Sequence, residues 1–245
     1  MKCPPFLMAA LACATTACGA LNSAPGRPSP DSMVIPPNKI MDFNALYGKN
    51  CAGCHGPDGK GGAAIGPGDP VYLAIADDAT IFRVTADGVP GTAMPAFAQS
   101  SGGMLTAEQI NAIVSGMRAR WAKPNILRDA NPPPYRAQAP GDPRRGANVY
   151  SVYCSSCHGP DGRGWQVASS IVDGSYLALV SDQSLRTSVI VGRPEFGAPD
   201  WRANVPGKPM SPEDVSDVVA WLAAQRPQFP GQPHSRARRA AGKLQ

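Results

Sequence analysis

The chain has 245 residues with 23 basic and 18 acidic side chains, for a formal net charge of +5. That length suits one or two domains, and the charge excess is confined to the ends: without Lys2, Arg236, Arg238, Arg239 and Lys243 the remainder holds 18 basic against 18 acidic residues. A near-neutral body lacks the basic face that a nucleic-acid-binding surface requires, so no nucleic-acid partner is expected.

Residues 1–18 read as an export signal. Lys2 is followed by the uncharged stretch Pro5 to Ala17, too short for a membrane-spanning helix of about 20 apolar residues. Ala12-Cys13 and Ala17-Cys18 both resemble lipoprotein cleavage sites, and Cys18 leaves the more reasonable leader length. The expectation is a lipid on Cys18 that holds the mature chain at the membrane. Residues 19–37, rich in Pro, Ser, Gly and Asn, read as a flexible tether.

A first domain is expected over 38–122. Phe43, Leu46 and Tyr47 recur at helical spacing between Lys39 and Asn50. The run Cys51-Ala52-Gly53-Cys54-His55 follows. Cys-x-x-Cys-His is the attachment signature of c-type haem. Two sulfurs on one helical turn can add to the two vinyl groups of a haem, and the adjacent histidine reaches the iron. Further on, Gly91-Thr92-Ala93-Met94-Pro95-Ala96-Phe97 forms a loop candidate. The domain closes with an amphipathic helix from Thr106, where Gln109 three residues on gives a capping-box pattern. Ile110, Ile113, Val114 and Met117 form its apolar face, expected in the core.

Residues 123–143 carry Pro124, Pro132, Pro133, Pro134, Pro140 and Pro143. No regular helix accommodates them, so a semi-rigid surface spacer is expected. The second domain, 144–228, then repeats the first. Gly146, Tyr150 and Tyr153 precede Cys154-Ser155-Ser156-Cys157-His158, and both motifs continue Gly-Pro-Asp-Gly. Tyr176-Leu177-Ala178 echoes Tyr72-Leu73-Ala74. A helix capped by Ser211 with Pro212 at its first position carries Val215, Val218, Val219 and Leu222, each 105 residues after its counterpart. Residues 229–245 read as a basic disordered tail. The duplication weighs against zinc knuckles, which stand about 15–20 residues apart. A redox dithiol would not need His after the second Cys twice.

These features resemble a tandem di-haem class I cytochrome c, of the two-domain kind that carries electrons in bacterial respiratory chains. The resemblance runs from about Asn38 to Pro227. It implies a mostly α fold, two cytochrome c domains joined by the Pro-rich linker, in each of which an amino-terminal helix crosses a carboxy-terminal one. It also implies two covalently bound haem c groups, on Cys51, Cys54 and His55 and on Cys154, Cys157 and His158. The family takes its sixth iron ligand from a methionine, usually followed by proline, which points to Met94; Met104 and Met117 fit core-filling roles better. A thioether opposite histidine favours ferrous iron and raises the potential. In the second repeat Gly197-Ala198-Pro199-Asp200-Trp201 falls over Ala93-Met94-Pro95-Ala96-Phe97, and Ala198 cannot ligate. Met210, the one methionine after His158, matches Leu105, normally a core position; it could ligate only from a rearranged loop. His234, the one spare histidine, lies in the tail. A five-coordinate or water-ligated second haem stays open.

The resemblance implies an exported, periplasmic electron carrier. Its redox partners would be a quinol-oxidising complex, a terminal oxidase or a dehydrogenase. The alternatives are a di-haem peroxidase-like or gas-binding protein, where Glu195 could move protons near an open iron, and the electron-accepting subunit of a periplasmic dehydrogenase. No catalytic set is expected, since three histidines build no Ser-His-Asp arrangement and no glycine loop follows a strand.

Overall fold

The computed structural model describes residues 29, 32, 34–128 and 130–228. The leader, most of the tether and the tail, with Cys3, Cys13, Cys18 and His234, lie outside the described residues. A 3-10 turn, Pro37–Lys39, lies among the described residues of a unit that ends at Lys39, and a second compact unit begins at Ile40. Among the described residues there is no strand, only isolated bridges, so the body is helical throughout.

The first repeat comprises α1 (Phe43–Asn50), α2 (Ala52–His55), α3 (Pro70–Ile75), α4 (Asp78–Asp87) and α5 (Ala107–Trp121). The second comprises α6 (Pro143–Tyr153), α7 (Ser155–His158), α8 (Gly174–Leu179), α9 (Asp182–Val191) and α10 (Pro212–Ala223). Side-chain caps mark the starts: Asp42, Asp69, Asp77, Asp142, Asp173 and Ser181 each accept a backbone N–H of the following turn, satisfying donors that a helix start otherwise leaves open. Thr106 with Gln109, and Ser211 with Asp214, form reciprocal capping boxes.

The amino- and carboxy-terminal helices of each repeat pack closely, α1 on α5 and α6 on α10. Each crossing pairs one large and one small residue, but the two repeats place them on opposite helices. In the first, the Phe43 ring of α1 lies where a Cβ on Gly116 of α5 would meet it at 2.1 Å. In the second, Gly146 occupies the Phe43 position and Trp221 the Gly116 position; a Cβ on Gly146 would meet the Asp217 carbonyl oxygen at 2.0 Å and Cβ of Trp221 at 2.7 Å. Either way, no room for another methyl exists, and the helix backbones approach because the bulk is shared out.

Both repeats also use one arginine to tie off α3 or α8. Arg118 Nη2 donates to Ala76 O at 2.5 Å and Nε to Asp78 at 2.6 Å, while Nη1 donates to Leu73 O. Arg226 Nε donates to Leu177 O at 3.1 Å and Nη2 to Val180 O at 2.9 Å, while Nη1 reaches Asp182. The accepting groups correspond residue for residue, but the arginines come from different places: within α5 in one case, beyond the end of α10 in the other.

The linker is no free surface spacer. Pro133 is fully buried. The carbonyl of Pro134 accepts both Nε (3.0 Å) and Nη2 (2.9 Å) of Arg186, itself 3% exposed. Gln183 Nε2 donates to Tyr135 O at 2.7 Å, and the Tyr135 ring meets Tyr72 of α3 edge-on at 6.4 Å between centroids. The segment was extended enough to read as a spacer, but its carbonyls satisfy a buried guanidinium, and this welds it to α9. One apolar cluster accordingly contains Leu46 and Ile113 of the first repeat together with Val149 and Val215 of the second.

Candidate functional site

The two motifs fold alike. Cys51 ends α1 and opens α2; His55 N–H donates to Cys51 O at 3.0 Å and Cys54 N–H to the same oxygen at 3.2 Å. His158 and Cys157 repeat those bonds to Cys154 O at 3.0 and 3.2 Å. Each pair of sulfurs therefore sits on one turn, unpaired in any disulfide. The turn stops at Gly56 (φ +82°) and Gly159 (φ +79°), a left-handed conformation that favours glycine. Tyr47 and Tyr150, four residues before the first cysteine of each pair, donate their hydroxyls to those glycines' carbonyls, Tyr47 to Gly56 at 3.1 Å and Tyr150 to Gly159. Burial pushes both phenols above their usual range, so they remain protonated donors.

The histidines carry the same second bond. Nδ1 of His55 meets Ile65 O at 2.8 Å and Nδ1 of His158 meets Ser169 O at 2.8 Å. A carbonyl only accepts, so each Nδ1 donates its proton there, and Nε2 is left outside that bond. This second bond is the arrangement that orients a metal-ligating imidazole. Burial holds His55 below the ordinary imidazole range; the Ile65 bond opposes that and the charge of Arg193 reinforces it. Burial, then the neighbouring cysteine, raises Cys51 to about 11 and Cys154 to about 12. Among the described residues no three His, Cys, Asp or Glu side chains converge as a metal cluster. The donor set fits a covalently held haem at each motif: two thiols on one turn and one imidazole anchored through Nδ1, with Nε2 outside that bond.

The loop carrying Met94 and its counterpart around Ala198 overlay by their backbone bonds. In the first repeat Val89 N–H donates to Met94 O at 3.0 Å, and a Cβ on Gly88 would strike that same carbonyl at 2.7 Å. In the second, Arg193 N–H donates to Ala198 O at 2.8 Å, and a Cβ on Gly192 would meet it at 2.7 Å. Met94 and Ala198, both half-buried, therefore occupy the same place. Leu105 N–H donates to Phe97 O at 2.8 Å and Met210 N–H to Trp201 O at 2.9 Å. Met210, 3% exposed, thus sits in the core position of Leu105, 6% exposed. The extra residue that Met210 requires is absorbed between Trp201 and Met210, without moving it towards Ala198 in register.

Glu195 sits on an exposed turn, yet its carboxylate is engaged: it accepts from Arg193 Nε at 2.8 Å and from Gly61 N–H at 3.4 Å. Burial would raise its pKa, but the Arg193 and backbone hydrogen bonds outweigh that and hold it below the usual carboxylate range. Sequence reasoning gave no sign of this link between Glu195 and the first motif, 134 residues apart, because nothing local encodes it.

The pattern of the family described as cytochrome c oxidase, cbb3-type, subunit III matches residues 38–115 and 141–222. A cytochrome bc1 complex cytochrome c subunit of Mycobacterium bovis is 24% identical over 181 residues, covering 72% of this chain and 60% of that protein. The protein of the same description from Corynebacterium diphtheriae is 24% identical over 238 residues, 89% of this chain and 78% of that one. The matched part of the chain thus spans under two thirds of the mycobacterial relative's length. Among solved structures, a chain of the reducing HAO-like protein complex of Kuenenia stuttgartiensis aligns at 17% identity and a TM-score of 0.42, covering 80% of this chain and all of that one.

Proposed function

We infer the function from one premise: the chain belongs to the cytochrome c oxidase, cbb3-type, subunit III family. It is an electron carrier with two covalently attached haem c groups, one on Cys51, Cys54 and His55 and one on Cys154, Cys157 and His158. The observation that carries this reading is the duplicated cradle, in which both histidines are oriented through Nδ1 and left with Nε2 available. Bound haem supplies a one-electron ferric/ferrous couple. The chain's own residues do the rest. Tyr47 and Tyr150 fix the end of each attachment turn, Ile65 and Ser169 fix each imidazole, and Met94 offers a thioether to the first iron. Carrier rather than enzyme is the better reading, because both acids beside Ala198 are engaged: Glu195 is held by Arg193 and Gly61, and Asp200 by Arg202.

The relatives named as subunits of a bc1 complex support a quinol-oxidising complex as redox partner in a respiratory chain. The two haem domains are proposed as 38–122 and 144–228, with α6 opening one residue before the second, at Pro143. We place the protein on the periplasmic side, anchored through a lipid on Cys18, on the strength of the leader pattern alone. Cys18→Ser should then release it from membranes, and retention of that variant, with Cys13 also changed, would contradict the anchor. Intact mass measurement of protein from a haem-attaching host should show two haems. The double change Cys154→Ala with Cys157→Ala should leave one. A wild-type mass with a single haem would overturn the di-haem reading.

A further inference from the structure

The loop that carries Met94 in the first repeat has a different task in the second. Its counterpart, residues 193–198, reaches across to the first repeat's attachment motif. Arg193 Nη2 donates to Gly62 O at 2.7 Å. Gly62 itself lies flat on that motif: a Cβ there would meet Cys54 O at 2.2 Å and the carbonyl carbon of His55 at 2.6 Å. Glu195 completes the contact, accepting from Gly61 N–H at 3.4 Å and from Arg193 Nε at 2.8 Å. The guanidinium also lies 4.9 Å from the centroid of the Phe196 ring. Both charged side chains are largely covered, at 22% and 20% exposure, so solvent screens them less than a free surface pair.

We propose that Arg193 and Glu195 are positioning residues that pin the second repeat to the back of the first repeat's haem-attachment turn and set how readily that first site accepts an electron. The proposal rests on the reading of a haem at Cys51, Cys54 and His55. The charges standing at these positions in the first repeat are absent: Val89 matches Arg193 and Gly91 matches Glu195. The clamp therefore acts in one direction, from the second repeat onto the first. Of the two charges, the cation is the one bonded to Gly62, the residue stacked on the motif. A fixed positive charge disfavours the more positive, oxidised form of a nearby centre, and a fixed negative charge does the reverse.

The test is a redox titration of the holoprotein, following the sulfur-ligated haem of the first repeat, for wild type, Arg193→Gln, Arg193→Lys and Glu195→Gln. Arg193→Gln should lower the reduced-to-oxidised ratio at a fixed potential by about threefold. Glu195→Gln should raise that ratio, and Arg193→Lys should stay near wild type, since it keeps the charge. Opposite signs separate an electrostatic role from mere loosening, which would shift both neutral variants the same way. Shifts of the same sign, or no shift in either, would overturn the proposal; if Arg193→Gln fails to fold, unchanged titration of Glu195→Gln overturns it alone. Wild-type protein without haem on Cys51 and Cys54 would instead sink the functional reading on which the proposal stands.

Discussion

Met94→Ala should abolish the sulfur-to-iron absorption band at the red end of the oxidised spectrum and turn the first haem from low-spin to high-spin. It should also lower that haem's midpoint potential by on the order of 0.2 V, a fraction of the roughly 0.8 V that axial ligands span. The reason is chemical: a thioether is a soft donor that prefers ferrous iron, and alanine offers nothing in its place. The fold should survive, because Met94 is only half-buried and its loop is held by main-chain bonds, Val89 N–H to Met94 O among them. Optical titration of the variant checks this. A band that persists in the Met94→Ala protein would remove Met94 as the ligand.

The second large effect is a gain. Ala198 occupies the Met94 position in backbone register, so Ala198→Met should add a second sulfur band and raise the second haem's potential by an amount of the same order. Met210→Ala should behave in the opposite way: no change in the spectrum, but a loss of about 2–5 kcal/mol in folding stability, the usual cost of emptying a buried methionine site. Met210 is 3% exposed and stands where the first repeat has Leu105. Should Met210→Ala convert a low-spin haem to high-spin, Met210 is the ligand and Ala198 is irrelevant.

The parts legible in the sequence are those encoded locally. The capping box at Thr106, the helix start at Ser211, the apolar faces of α5 and α10 and the two attachment turns all depend on residues within one or two turns of each other, and local pattern reveals them. The equivalence of Met94 with Ala198 was also legible, since Pro95 and Pro199 and the aromatics Phe97 and Trp201 hold the register. Four features were not. Arg118 and Arg226 perform the same task from non-equivalent positions, so aligning the repeats separates them. Phe43 with Gly116, and Gly146 with Trp221, preserve the summed bulk at a crossing while exchanging it between helices; position-by-position comparison reads that as two losses. The linker's carbonyls gave no hint that a buried Arg186 would claim Pro134. Short helices α4 and α9 lacked a signal strong enough to single out, and their apolar residues become decisive only once α5 and α10 cover them.

We propose that the two repeats share one way of attaching haem and differ in what stands opposite the histidine. A redox titration of the wild-type holoprotein, followed by optical and electron spin resonance spectra together, tests it most directly. Two haems are expected: a low-spin, sulfur-ligated centre of higher potential, and a second centre of lower potential that shows no sulfur band. Two sulfur-ligated centres of similar potential would contradict it.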